Sequence, residues 1–457
     1  MVHILTILIV CAAGYLIVKK YQTQTVIFAA GLLLLTIAAF QGNDFVSMAK
    51  SKSTGWVVFD IFDMIRVIIS GRVGKLGLII MAAGGFAKYM GHIGAARAMV
   101  DLTVKPLSKL RSPYVVIALA YLLGQVLNIF IPSASGLAML LLISMFPILI
   151  RLGATPASSA AVIATTACLD LGPASGNSLL GARTSGMDAS TYFVSEQLML
   201  AVPAMIVIAV LHFFVQRYFD KRALESSDVS EKLEEFRSKQ ESARKVPALY
   251  AILPTLPLIL LLVFSKFVVA SIKLNVVTAM FISLIVAVFF ELVYTRKAKE
   301  VMADVKVFFI GMGDTLAGIV TLIFAAEVFA LGLKAVGFID MLLSSAHGVG
   351  LPAIGLLIVI VLIIGITALM TGSGNAAFFS FANLAPDAAA AFGLKAVVFV
   401  LPMQLVAGLF RSFSPVAGVV LACAGTADVS PFEVVKRTFI PMAGGVIVVV
   451  IGSWFML

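Results

Sequence analysis

Thr371-Gly372-Ser373-Gly374-Asn375 interrupts an apolar chain, lying between the run Ile354 to Leu369 and the shorter run Ala376 to Leu384. Two glycines within three positions cannot sustain a helix, and the backbone groups around them lose their i to i−4 partners. Inside a bilayer such backbone is tolerated only where it is buried in protein or lines a polar cavity. The stretch therefore predicts the tip of a re-entrant hairpin, and a tip that binds something polar.

That argument needs a bilayer, and composition supplies it. Hydrophobic residues make up 61% of the 457, and charged residues 12%, against about half and about a quarter in a soluble domain. Mean hydropathy is +1.10. The chain reads as an all-α polytopic membrane protein with about ten full crossings. Its net charge of +10 does not indicate nucleic acid, because most Lys and Arg stand at the ends of apolar runs, as the positive-inside rule requires. Cys11, Cys168 and Cys423 match no zinc or disulfide spacing and read as small core residues.

Taken in order, Met1 to Val18 predicts a signal anchor with its N-terminus outside, and Thr25 to Phe40 a return. Residues 1–75 form an N-terminal scaffold closed by an outer loop from Gln41 to Lys75, with an interfacial helix over Trp56 to Ile69. A first repeat, residues 76–215, holds the crossing Leu76 to Ile93, a hairpin over 113–150 and a broken helix over 157–182. The hairpin's second limb, Leu137 to Ile150, is about 21 Å long and falls short of a hydrocarbon core of about 30 Å. Residues 216–248 read as a solvated cytoplasmic linker, and 249–306 as two connecting spans, Leu249 to Ala270 and Leu274 to Tyr294. A second repeat, residues 307–457, holds the crossing Val307 to Leu333, a hairpin over 352–386 and a broken helix over 395–424. The C-terminus is expected outside the cytoplasm, like the N-terminus.

The two repeats are related at the level of residues. Phe86-Ala87 with Gly94 matches Phe329-Ala330 with Gly337, Pro113 matches Pro352, and Ser133 to Gly136 matches Thr371 to Gly374. Pro173 to Gly176 matches Pro415 to Gly418, and Asp188 with Ser190 matches Asp428 with Ser430, all at an offset of about 240 residues. The basic residues put the first hairpin's opening inside and the second's outside. This is an inverted-topology repeat, which in secondary transporters places the site near the membrane midplane. Each returning limb and each second half of a broken helix starts at an interruption. Four helix N-termini could thus converge, each offering free N–H groups and about half a positive charge, a cradle for carboxylates. Candidate ligating residues are Ser133, Ser135 and Gly136, then Ser175, Gly176 and Asn177, then Thr371, Ser373, Gly374 and Asn375.

At these residues a family resemblance becomes specific. TGSGN at 371–375, SASG at 133–136 followed by GLAMLL, LGPASGN at 171–177, RSFSPVAGVV at 411–420 and SPFEVVKRT at 430–438 resemble the anaerobic C4-dicarboxylate carriers of the DcuC family, over nearly the whole chain. The resemblance implies a place in the wider ion transporter superfamily, a homodimer, an elevator-like motion, and carriage of succinate, fumarate or malate across a bacterial inner membrane, chiefly as efflux or exchange. Relatives in the wider group carry other small anions or amino acids, which is the alternative reading.

Charged residues within the runs are weighed one by one, since each is costly in lipid. Arg411, beside Ser412, Ser414 and the break that ends at Gly418, could hold a carboxylate bidentately. Asp170 stands at the opposite break and either carries a proton or pairs with Arg411. Glu327 is a second coupling candidate or an ion-pair partner, with Asp314 on the same crossing; Arg183 is an anchor or a gate. The coupling ion, H+ or Na+, stays open. No catalytic residue, metal or cofactor is expected. An intramembrane serine protease would need a histidine beside Ser135 or Ser175, whereas His3, His92, His212 and His347 stand mostly near run ends. A passive channel would use a polar-ringed pore in place of a duplicated cradle.

Overall fold

The structure is a computed structural model, and it describes the chain except residues 1, 20, 44–45, 47–51, 111, 224–246, 265–267, 270, 273, 339–340, 342–351 and 457. Every regular element among the described residues is helical. Seven of these helices are long and apolar enough to cross a membrane: Thr23–Phe40, Pro113–Phe130, Ala189–Arg222, Val276–Thr295, Ala298–Ala335, Ala353–Thr371 and Pro431–Trp454. Shorter apolar helices include Val2–Ile17, Ala134–Ser144, Pro156–Thr165 and Val397–Arg411.

Each half of the chain carries a similar long helix with a π-helical turn inside it. Val57–Arg72 runs without interruption through a π-helical turn, Val73–Gly77, into Leu78–His92. In the second half Lys306–Thr315 runs through a π-helical turn, Leu316–Val320, into Thr321–Ala335. Gly94 and Gly337 then follow with φ of +79° and +70°. The expected outer loop of 41–75 is therefore corrected: its Trp56 to Ile69 stretch is the opening of a long helix, counterpart of Lys306–Thr315. Its apolar face packs on Thr321–Ala335, a long-range contact that local amphipathicity cannot distinguish from a lipid surface. The connecting span Leu249 to Ala270 is corrected too. Two prolines, Pro254 and Pro257, divide its described part into a 3-10 stretch, Ala248–Thr255, and a short helix, Leu256–Val263. The linker of 216–248 keeps only part of its reading, because Leu198–Ala223 extends into it; residues 224–246 lie outside the described residues.

Helices cross closely where glycine leaves room. A Cβ on Gly31 would stand 2.7 Å from the backbone nitrogen of Phe329, and one on Gly85 2.6 Å from the Phe308 carbonyl oxygen. Membrane helices use such small residues to bring backbones into van der Waals contact. Thr23–Phe40 thereby packs on Thr321–Ala335, and Leu78–His92 on Lys306–Thr315. Pro156–Thr165 is buried at every residue, and Val397–Arg411 at every residue but Phe410. Buried on nearly every side, polar residues included, these two first halves of the broken helices form the core.

Candidate substrate site

The hairpin tips are built by serine caps. Ser133 accepts from the Gly136 N–H at 3.1 Å and starts Ala134–Ser144; Ser373 accepts from the Ala376 N–H at 3.1 Å and starts Gly374–Phe381. The pairing is therefore Ser133 with Ser373. The sequence match of Ser133 to Gly136 with Thr371 to Gly374 is two residues out, because both tips carry alternating small residues that align equally well in either register. The same slip affects the later match. Asp188 and Ser430 are the equivalent N-caps, and the left-handed Asp428 answers to Gly186.

The second tip is held from below. Gly372 has φ of +69°, and a Cβ there would lie 2.8 Å from the Cα of Ala417, so the tip rests directly on the second helix break. Ser414 Oγ donates to the Leu369 carbonyl at 2.6 Å, and Thr371 Oγ1 donates to the Thr367 carbonyl at 2.8 Å while accepting from the Ser373 N–H at 3.2 Å.

Between the tips and the breaks lies a cavity of about 620 Å³. Its lining brings together Ser133, Ser135, Gly136, Asp170, Ser175, Gly176, Asn177, Ser373, Gly374, Asn375, Arg411 and Gly418. The N-termini of Ala134–Ser144, Gly176–Thr184, Gly374–Phe381 and Gly418–Thr426 all open onto it, so donors and the positive ends of four helix dipoles share one space. Three expected residues are not in the lining. Thr371 and Ser414 spend their hydroxyls on the support just described, and Glu327 lies on Thr321–Ala335 away from the cavity. Lys88 was missed. It lines the wall and pairs with Asp314 across the helix crossing. Every fourth or third residue of its helix, from Ile80 through Ala83, Gly84 and Ala87 to Gly91, faces the same way, a spacing visible in the sequence.

At the centre, Arg411 Nη1 lies 3.3 Å from Asp170 Oδ2, and Arg411 Nη2 donates to the Ala167 carbonyl at 2.6 Å. Asn177 Nδ2 donates to Asp170 Oδ2 at 2.9 Å. Asp170 takes the left-handed φ of +47°, rare for a residue with a Cβ. Its carbonyl is held there by Ser178 Oγ at 3.2 Å and by the side-chain amides of Gln197 and Gln404 at 3.3 and 3.4 Å. Arg411 Nε and Asn177 Oδ1 are buried with no hydrogen-bond partner among the described residues. Orphaned groups of this kind are costly unless something else satisfies them.

The family model for the DcuC C4-dicarboxylate anaerobic carriers matches residues 1–457, the whole chain. The chain belongs to this family. The anaerobic C4-dicarboxylate transporter DcuC of Escherichia coli strain CFT073 is 37% identical over 454 residues, covering 98% of this chain and 95% of its own length. The probable anaerobic C4-dicarboxylate transporter DcuC of Vibrio cholerae is 36% identical over 446 residues, covering 97% and 95%. Among solved structures, the YdaH transporter of Alcanivorax borkumensis aligns with a TM-score of 0.59 at 14% identity over 95% of this chain and 98% of its own. Neisseria gonorrhoeae MtrF aligns with a TM-score of 0.55 at 15% identity, covering 87% and 84%. These two share the fold. The chain is thus a multi-pass DcuC-family membrane transporter of C4-dicarboxylates and not an enzyme.

Proposed function

We propose that this DcuC-family chain carries succinate, fumarate and malate through the bacterial inner membrane, as succinate efflux or exchange, by alternating access around the cavity between the two tips. What supports this reading most is that four helix N-termini and the side chain of Arg411 line one cavity of about 620 Å³. That volume suits a small molecule, and the donors suit carboxylates. The residues in the binding role are Ser133, Ser135, Ser175, Asn177, Ser373, Asn375 and Arg411, with Asp170 setting the charge on Arg411.

A second cavity of about 710 Å³ supports alternation between two openings. The first cavity reaches Gly91, Ala96 and Ile143, the end marked cytoplasmic by Arg97 and Arg151. The second is lined by Arg183, Thr184, Asp188, Asn275 and Asn383. Gly176 and Asn177 of the helix Gly176–Thr184 line the first, and Leu179, Ala182, Arg183 and Thr184 line the second, so one helix stands between them. In this reading the repeats have opposite orientation, both termini lie outside the cytoplasm, the protein is a homodimer, and the segment that holds the tips moves as in elevator carriers. The orientation follows from the basic residues, and the dimer and the motion from the family resemblance.

Counterflow of labelled succinate in proteoliposomes, with sodium and proton gradients clamped in turn, tests the proposal. Fumarate and malate are expected to compete and an amino acid to leave uptake unchanged. Competition by the amino acid with none by the dicarboxylates would refute the substrate assignment, and flux that never saturates would refute the carrier.

A further inference from the structure

Arg411 cannot by itself attract a dianion. Its charge is answered by Asp170, with both side chains about 10% exposed, and its Nη2 is spent on the Ala167 carbonyl. Among the described residues, the charged ones in the cavity lining are Asp170, Arg411 and Lys88. With the first two neutralising each other, the remaining formal charge on the wall is the ammonium of Lys88.

Lys88 is placed for a change of partner. Its root is pinned, because Gly311 on the crossing helix leaves space that Lys88 Cβ fills, 2.8 Å from where a Gly311 Cβ would stand. Beyond that point the side chain is flexible and 43% exposed, and it pairs with Asp314, which is 63% exposed and is not among the lining residues. Exposed pairs of this kind contribute about 0–1 kcal/mol, so little opposes release of the ammonium. A carboxylate bound in the cavity offers the ammonium the same charge that Asp314 does.

We propose that Lys88 is a second anion-binding residue of this carrier, exchanging Asp314 for the outer carboxylate of a bound C4-dicarboxylate while the inner carboxylate is held at the tips and Arg411. Lys88 then sets the preference for dianions over monoanions of the same length. This deepens the dicarboxylate reading and rests on it.

The test compares succinate with its monoamide, succinamate, as inhibitors of labelled succinate counterflow by purified, reconstituted protein. In Lys88→Gln the inhibition constant for succinate rises about tenfold, the value of one lost charge-assisted hydrogen bond, and that for succinamate moves less than about twofold. Lys88→Arg restores preference for succinate. Asp314→Asn leaves succinate binding equal or tighter, because it frees the ammonium. The assignment is overturned if Lys88→Gln and Asp314→Asn weaken succinate alike, as for a merely structural clasp, or if Lys88→Gln shifts succinate and succinamate equally. Unaltered protein that shows no succinate counterflow instead refutes the carrier reading, and the role of Lys88 falls with it.

Discussion

Asp170 combines two demands that seldom coincide. It supplies the counter-charge to Arg411, and its backbone adopts a left-handed conformation that carries the chain around the first helix break. Asparagine tolerates that conformation better than other residues with a Cβ, and the ordinary penalty is about 1–2 kcal/mol. Melting temperatures of purified protein in detergent should therefore rank unaltered protein above Asp170→Asn, and Asp170→Asn above Asp170→Ala. The first step reflects a buried guanidinium without its partner, worth about 3–5 kcal/mol, and the second reflects strain of about 1 kcal/mol more. The sequence placed Asp170 and Arg411 at opposite breaks; that the two side chains pair, at 3.3 Å, is a long-range fact that no local pattern encodes.

At the scale of elements the tips and breaks depend on single backbone positions. Gly372 and Gly393 both have positive φ, +69° and +68°, yet a Cβ on Gly372 meets Ala417 backbone at 2.8 Å while one on Gly393 meets nothing within 4 Å. Gly393→Ala should cost only about 1 kcal/mol of strain and keep counterflow near normal. Gly372→Ala must also push the second tip off the second break, and counterflow should fall at least about tenfold, a change that needs only about 1.4 kcal/mol of misplacement. If both variants transport equally well, the contact between Gly372 and Ala417 does not position the tip. The interruption itself was legible, because glycine and serine in an apolar run can hardly be helix interior. Its register was not. Serine caps at Ser133 and Ser373 decide it, and capping is a matter of φ and hydrogen-bond geometry that two similar short motifs share in more than one alignment.

Across the whole molecule the two halves are joined by a buried polar cluster. Arg437 Nη1 lies 2.6 Å from Asp220 Oδ1, and that carboxylate also accepts from Thr155 Oγ1 and Ser158 Oγ, each at 2.7 Å. Gln216 Nε2 donates to the Arg437 carbonyl at 3.0 Å, so Pro431–Trp454 is tied to Leu198–Ala223 and to the core helix Pro156–Thr165. Removing one member of a buried pair costs about 3–5 kcal/mol, whereas replacing both by apolar groups is often neutral. Asp220→Leu should accordingly lower the melting temperature sharply, and Asp220→Leu with Arg437→Met should recover much of the loss; a double variant worse than the single would show that the cluster cannot be exchanged for apolar packing. The sequence assigned 216–248 to a solvated linker, which Gln216 and Asp220, both fully buried, correct. Local charge density marked the segment as polar, but Arg437 lies more than two hundred residues away.

Membrane class, the interruptions and most polar residues of the cavity lining were legible in the sequence, because each rests on local chemistry: apolar run length, the helix-breaking action of glycine and proline, and the cost of charge in lipid. Packing settled that Trp56 to Ile69 opens a long helix, that Thr371 and Ser414 support the tip without lining the cavity, that Glu327 lies outside the lining, and that Lys88 lines it. Those outcomes depend on which distant helix lies alongside. Burial, partner and orientation are properties of pairs of elements, and they arise only when the chain has packed.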